Sequence, residues 1–336
     1  MRSRSRSGLA VLLCACLGAP AAAQAPAPVP TAGPPLDALV VRLANMSAVT
    51  GLEDAMAESL AAALPGAVTD RAGNVVLVRG SGEPARIALC PMDEIGYVVG
   101  AITPDGYLTL RRVGTTFMGP LYDQYLEGQR VTVFGRRGPL HGVVGVRSTH
   151  LTRGRPAAPE EPFNLDNAYV DIGAATAAGA QALGIEILAP VTREKRAHRY
   201  GTDLVAAPDA SARAACAALL VAAARLPSGG AAGTFIAAFT RRRNLRCDGG
   251  STVVIEHGHG AAAADVVLLG GAGGADSLGS GTVLSGRDSL PAAQGFRTAT
   301  AWDLPTRYAR TPVETVSLKD VAALADKLQA FLGGRP

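Results

Sequence analysis

Helix and strand patterns alternate at both ends of this 336-residue chain but not in its middle, and this interruption constrains the fold most. An apolar stripe with helical spacing begins at Leu36, and residues 211–226 and 318–332 also have helical patterns. Residues 100–195 instead hold short segments separated by glycine turns, which predict strands. We therefore predict an α/β fold, a mixed sheet flanked by helices, with an inserted small β-barrel-like domain.

Domain boundaries follow from the same change of pattern. Residues 36–98 and 196–334 are predicted to form one discontinuous α/β domain, and residues 99–195 the inserted β-rich domain. Continuous apolar runs such as 233–240 are typical of parallel strands that helices cover on both faces.

Two helix starts have recognisable caps. Thr50 and Glu53, three residues apart, predict a capping box at the start of the second helix. Ser317 and Asp320 have the same spacing before the last helix.

The N-terminus has the layout of a secretory signal. Basic residues precede an apolar run at 9–17 and three alanines that end at residue 23, so residues 1–23 are predicted to be a signal peptide. The apolar run is too short to span a bilayer, so no transmembrane segment is expected. A lipid anchor at Cys16 is the alternative, and the Pro-rich residues 24–35 predict a linker. The expected location is therefore secreted or periplasmic.

Charge excludes one class of partner. Removing residues 1–23, which carry three arginines and no acid, lowers the formal net charge from +4 to +1. A nucleic-acid-binding domain would normally be clearly basic, so no nucleic-acid partner is expected.

Three cysteines remain beyond the signal: Cys90, Cys216 and Cys247. An odd number does not indicate a disulfide framework, and we interpret all three as small buried hydrophobic residues. One disulfide with one free thiol is the alternative.

Several separated segments carry a family resemblance. The segments PMDEIGYVVGAITPDGYLTL, GQRVTVFGRRG, YVDIGA and PTRYARTPVETVSLKDV resemble the glutamyl and deblocking aminopeptidases in order and content. The resemblance covers about residues 36–334. It implies a zinc-aminopeptidase-like fold, two zinc ions, an inserted dimerisation-type domain and assembly into homo-oligomers, often tetrahedral particles.

Five positions depart from what this resemblance implies. Pro91 stands where a histidine ligand is expected, and Ser211 where a bridging aspartate is expected. The paired glutamates, a general base and a ligand, correspond to Arg241 and Arg242, and the last histidine ligand to Arg310. Zinc is held by nitrogen, sulfur and carboxylate oxygen ligands, which these residues do not supply.

Two acids persist in the resemblance, Asp93 beside the first ligand position and Glu256 at a terminal ligand position. One guanidinium about 4 Å from a divalent ion costs about 8 kcal/mol at an effective dielectric constant of about 20. Structural zinc binding is worth about 10–16 kcal/mol with every ligand present. Two or three arginines that face the cavity would cancel this binding free energy, so we predict no metal cofactor and hypothesise that Arg242 and Arg310 pair with Asp93 and Glu256. A solvated loop at residues 241–243 is the alternative. The resemblance also places Cys90 beside the first ligand position and Cys247 after the arginines, which makes Cys90–Cys247 a candidate disulfide.

The leading interpretation is an exported, non-catalytic binding or assembly protein with no catalytic residues. An active aminopeptidase with a relocated metal site at Glu256, His257, His259 and Asp209 is the alternative, and it requires a turn after Glu256, since strand residues alternate in facing. A third hypothesis is a pocket for an anion or a peptide carboxylate lined by Arg241, Arg242 and Arg310.

Overall fold

The computed structural model describes residues 35–114, 122–145, 163–226, 232–245, 253, 257, 264–273, 275–281, 283–286 and 297–333. The signal peptide, residues 24–34 of the linker, Cys16, Cys247, Glu256 and His259 lie outside the described residues. Pro34–Pro336 form one compact unit. Among the helices described, none combines the length and apolar character needed to cross a bilayer.

A six-stranded sheet forms the centre of the fold, in the order β1-β2-β12-β14-β13 with β11 also paired with β2. Neighbours β2, β12 and β14 run parallel, as their continuous apolar sequences predict. The strands are β1 (Val68–Thr69), β2 (Val75–Pro91), β11 (Ala232–Thr240), β12 (Ala264–Gly273), β13 (Leu284–Gly286) and β14 (Thr298–Pro305).

The long strand β2 contacts β11 along both of its halves, since Ala237 lies opposite both Leu77 and Ala88. Glycine and proline residues interrupt β2 between these halves. Gly80 and Gly82 have positive φ, and the peptide bond before Pro84 is cis. The second half of β2 then ends at Pro91, opposite Thr240 at the end of β11.

The middle of the chain forms a closed barrel in the order β3-β4-β7-β6-β5-β8. Its alternating apolar residues, such as Val131 and Val133, point inward into a separate core. The strands are β3 (Gly96–Ile102), β4 (Leu108–Val113), β5 (Arg130–Gly135), β6 (Gly138–Val144), β7 (Val170–Asp171) and β8 (Pro190–Arg193). The predicted α/β fold with a small barrel is thus confirmed, whereas the exact domain boundaries stay a prediction.

The helices pack against the central sheet and form the largest core cluster with it. This cluster includes Leu43, Leu60, Leu219 and Leu328. The Ala-rich α4 is buried along most of its length, because small side chains let it lie close to its neighbours. The helices are α1 (Leu36–Ala44), α2 (Asp54–Ala63), α3 (Ala177–Ala182), α4 (Ala210–Ala224) and α5 (Leu318–Leu332).

A three-stranded sheet, in the order β15-β10-β9, holds the C-terminal segment beside α4. Antiparallel pairing places Ala206 opposite Thr315, four residues before α4 begins. Its strands are β9 (His198–Tyr200), β10 (Leu204–Ala206) and β15 (Thr315–Ser317). This pairing places the segment that contains Arg310 near the start of α4.

The two predicted caps have different outcomes. Ser317 accepts a hydrogen bond from the backbone N–H of Lys319, so the cap of α5 is confirmed. The capping box at Thr50 and Glu53 is wrong: α2 begins after Glu53 without a side-chain cap, since Thr50 donates to Asp93 instead.

The expectation that Glu256 lies on a strand is wrong for the neighbouring residues that the structure describes. Val253 and His257 are helical rather than extended. The following segment, β12, takes the place beside β2 in the sheet.

Candidate functional site at the carboxyl edge of the sheet

The carboxyl edge of the central sheet brings three of the predicted site positions together. Thr240, directly before Arg241, lies opposite Pro91, and its carbonyl accepts a hydrogen bond from Met92 N–H at 2.8 Å. A Cβ built on Gly270 of β12 would lie 3.8 Å from Pro91 Cδ and 3.7 Å from Ala212 Cα. Strands β2, β11 and β12 and the start of α4 therefore meet at one place, as the parallel pairing requires.

Arg310 is tied to the same place through Glu314. One carboxylate oxygen of Glu314 accepts from Ser211 N–H at 2.7 Å, and the other accepts from Arg310 N–H at 2.8 Å. Glu314 is buried, and burial, together with the nearby Asp209, raises the pKa of Glu314. Its carboxyl group thus occupies the N-terminus of α4, where a negative charge is stabilised.

Arg241, at the position expected for the general base, is fixed by two acids at the start of α2. Its Nε lies 2.9 Å from Glu53 Oε2, and a terminal nitrogen lies 2.8 Å from Asp54 Oδ1. Only 11% of the Arg241 side chain is exposed, and Glu53 is fully buried. The guanidinium also lies against Gly73, where an added Cβ would come within 2.7 Å of it.

The solvated-loop alternative for residues 241–243 is therefore wrong for Arg241, because its guanidinium is the cation that compensates the buried Glu53. Arg242 and Arg243 are exposed, as that alternative expects. The backbone N–H of Arg242 donates to Glu53 Oε1 at 2.9 Å, so Glu53 receives hydrogen bonds from both arginines.

Asp93, one of the two retained acids, forms no ion pair with an arginine within the part of the chain that the structure describes. Its Oδ2 accepts from Thr50 Oγ1 at 2.5 Å and from the backbone and side-chain nitrogens of Asn244 at 2.9 and 3.0 Å. The hypothesis that Arg242 or Arg310 neutralises Asp93 is wrong, because these three neutral donors already compensate the carboxylate. Its Oδ1 is buried without a hydrogen-bond partner among the residues that the structure describes. Glu256 lies outside the described residues, so its pairing with an arginine stays a prediction.

Beside this edge lies a buried ion cluster that the sequence patterns did not reveal. Glu94, directly after Asp93, binds Lys195 and, at 2.7 Å, Arg213 of α4. Lys195 also lies 3.4 Å from Asp209. Burial would raise the pKa of Glu94, but the two cations outweigh it and lower the pKa to about 2. The sequence shows an acid at Glu94, but its partners Lys195 and Arg213 lie in distant segments, so the sequence alone does not predict the cluster.

Asp209 belongs to this cluster. It precedes α4 in a left-handed conformation, and its side chain is 34% exposed. Burial and the neighbouring Glu94 carboxylate raise the pKa of Asp209, against the lowering effect of Lys195.

The relocated metal site therefore stays a prediction. His257 is described, with Nε2 buried and without a partner in the described part of the chain, whereas Glu256 and His259 are not.

A disulfide joins Cys90 to Cys216, with 5.6 Å between the Cα atoms and a sequence separation of 126. The alternative of one disulfide is confirmed. The interpretation of these two residues as free hydrophobic cysteines and the candidate pairing of Cys90 with Cys247 are wrong. The packing of α4 on β2 brings Cys216, rather than Cys247, against Cys90. The bond links β2 to α4 directly beside Pro91.

A family model described as M42 glutamyl aminopeptidase matches residues 73–299, more than half of the chain. SgcX, a candidate aminopeptidase of Escherichia coli (strain K12), is 35% identical over 152 residues, which are 44% of this chain and 38% of SgcX. A lysyl aminopeptidase of Pyrococcus furiosus is 28% identical over 159 residues, 45% of this chain and 44% of that protein. The chain thus matches less than half of the length of these two relatives.

Solved structures show the same fold. The TET1 peptidase of Pyrococcus horikoshii has a TM-score of 0.74 at 21% identity and covers 89% of this chain and 99% of its own. An aminopeptidase from the archaeon Desulfurococcus kamchatkensis has a TM-score of 0.72 at 19% identity, with 89% and 94% covered. Together with the match over residues 73–299, this places the chain in the M42 glutamyl aminopeptidase family.

Proposed function

We propose that this member of the family is a non-catalytic binding or assembly protein, which keeps the aminopeptidase fold without its two-zinc chemistry. The observation that carries the proposal is the Arg241–Glu53 ion pair, 2.9 Å long, at the position expected for the general base. A guanidinium cannot accept a proton from water at neutral pH, since its pKa exceeds about 12.

The donor set at the sheet edge supports the same proposal, because it does not fit two zinc ions. Pro91 has no side-chain donor atom, and its position ends β2. Ser211 offers only a hydroxyl group, and Arg310 offers a cation. Asp93 already accepts three hydrogen bonds from neutral donors. Zinc in proteins requires His, Cys or carboxylate ligands.

Export is part of the proposal. The disulfide between Cys90 and Cys216 supports it, because disulfides persist in oxidising compartments and are rare in the cytosol. A homo-oligomer is the proposed assembly, and one neighbour in fold is described as forming a tetrahedron or a large octahedral shell.

Peptide hydrolysis by the purified chain tests the proposal. Amino-acid amides and short peptides are incubated with the protein before and after incubation with zinc, with and without a chelator. We expect no turnover above a buffer control. Turnover that a chelator removes, and that Glu256→Ala and His257→Ala abolish, would instead establish the relocated metal site.

A further inference from the structure

Two arginines at the carboxyl edge share an uncommon backbone conformation. Arg242 has φ 61° and Arg310 has φ 63°, which is the left-handed region that non-glycine residues rarely adopt. Residues in such conformations persist only where their surroundings fix them, and they concentrate at binding and active sites.

A buried glutamate fixes each of these two backbones. Glu53 accepts the N–H of Arg242 at 2.9 Å, and Glu314 accepts the N–H of Arg310 at 2.8 Å. Both glutamates are buried, with exposures of 0% and 3%. The same arrangement, a buried glutamate that accepts the backbone N–H of an arginine, thus occurs twice at one edge of the sheet. The two segments are about 70 residues apart in sequence.

The guanidinium groups of Arg242 and Arg310 are exposed, and neither makes a hydrogen bond or an ion pair within the described residues. The buried arginines nearby differ, since Arg213 binds Glu94 and Arg241 binds Glu53. Asp93 and Glu314 accept hydrogen bonds from other donors, and within the described residues neither forms an ion pair with Arg242 or Arg310.

Both arginines belong to the same edge of the sheet. Arg242 lies two residues after Thr240, which lies opposite Pro91. Arg310 is held by Glu314, whose other carboxylate oxygen accepts a hydrogen bond from Ser211 at the start of α4. Pro91 and α4 meet at Gly270. Tyr308, two residues before Arg310, is 60% exposed and offers an apolar surface in the same segment.

We propose that Arg242 and Arg310 bind the C-terminal carboxylate of a peptide, with Tyr308 against its last side chain. A guanidinium fork matches a carboxylate with two parallel hydrogen bonds, and a planar fork fixed on a rigid backbone loses little freedom on binding. The inference rests on the proposed function, because it assigns the cleft to peptide binding without hydrolysis.

Binding of N-acetyl-tetraalanine to the full chain, compared with its C-terminal amide, tests the site. The acetyl group removes the ammonium charge, so the two probes differ only at the carboxyl end. We expect the acid to bind at least about tenfold more tightly than the amide. We expect Arg242→Gln with Arg310→Gln to remove this difference, because each variant keeps the backbone N–H that its glutamate binds.

Arg137→Gln, on the turn between β5 and β6, is the matched control, since Arg137 is also exposed, and it should leave the difference intact. Equal affinity for acid and amide, unchanged binding in the double variant, or inorganic phosphate binding as tightly as the acid would each overturn the site. Circular dichroism verifies that the double variant is folded.

The same samples separate this inference from the proposed function. Hydrolysis of unblocked peptides with stoichiometric zinc would overturn the proposed function. Absence of both hydrolysis and acid-selective binding would overturn the carboxylate site alone.

Discussion

Arg241 and Glu53, 188 residues apart in sequence, form an ion pair that joins the end of β11 to the start of α2. Glu53 has no exposed surface, so its charge depends on this arginine and on backbone N–H donors. The pair occupies the position at which the family resemblance implies a catalytic carboxylate.

Replacing one partner of this ion pair should destabilise the protein more than replacing both. Arg241→Gln leaves the Glu53 charge buried without its cation, and we expect the free energy of unfolding to fall by about 3 kcal/mol. Urea unfolding with Arg241→Gln, Glu53→Gln and the double variant measures the coupling. If the double variant loses as much as the two single variants combined, the two side chains are not coupled and this account of Arg241 is wrong.

The pair also explains why the capping box predicted at Thr50 and Glu53 does not form. Local spacing favoured a cap on α2. The two side chains instead bind Asp93 and Arg241, which are distant in sequence. A buried charge with a long-range partner outweighs a local hydrogen bond, and the spacing of residues carries no information about that partner.

Acid should weaken the fold through Glu94. Lys195 and Arg213 lower its pKa from 4.5 to about 2 despite burial. Because the folded-state pKa is depressed, its stabilising contribution is complete above about pH 4.5 and is lost as the pH falls towards 2. The shift corresponds to about 3 kcal/mol.

Glu94→Gln should therefore be less stable than the wild type at pH 7, and the difference between the two should shrink as the pH falls from 4.5 to 2. Urea unfolding at several pH values measures it. Glu314, whose pKa is raised, has the opposite pH dependence, and comparing the two proteins reduces its effect. The Glu94 carboxylate contributes to the raised pKa of Asp209, so this pKa should be lower in the variant. A difference that is constant from pH 7 to 2 would contradict the assigned ion cluster.

The disulfide between Cys90 and Cys216 should contribute strongly to stability. It closes a loop across a sequence separation of 126 residues, for which loop-closure entropy predicts about 4–5 kcal/mol. We expect Cys216→Ala to lower the melting temperature. A reductant should lower the melting temperature of the wild type but not that of Cys216→Ala. Peptide mapping should find Cys90 linked to Cys216.

Cys247→Ala is the control for this prediction and should leave the melting temperature and its sensitivity to reductant unchanged. A mapped bond between Cys90 and Cys247 would refute the pairing.

How far the sequence predicts this protein depends on the range of the interaction. The α/β fold and the barrel followed from apolar periodicity, which is local, and α1 and α4 lie where Leu36 and the Ala-rich segment place them. The disulfide and the Glu94 cluster did not follow, because β2, α4 and the Lys195 segment meet only in the folded chain. The family resemblance located Pro91, Ser211 and Arg310, but not the Glu314 carboxylate that links Ser211 to Arg310.

The zinc content of the purified full chain tests the central claim most directly. The protein is equilibrated with excess zinc, passed through a desalting column and measured by inductively coupled plasma mass spectrometry. We expect well below one zinc ion per chain, in the wild type and in the Arg137→Gln control alike. One or two zinc ions per chain, lost in a Glu256→Ala, His257→Ala variant, would contradict the replacement of zinc chemistry by arginines at the sheet edge.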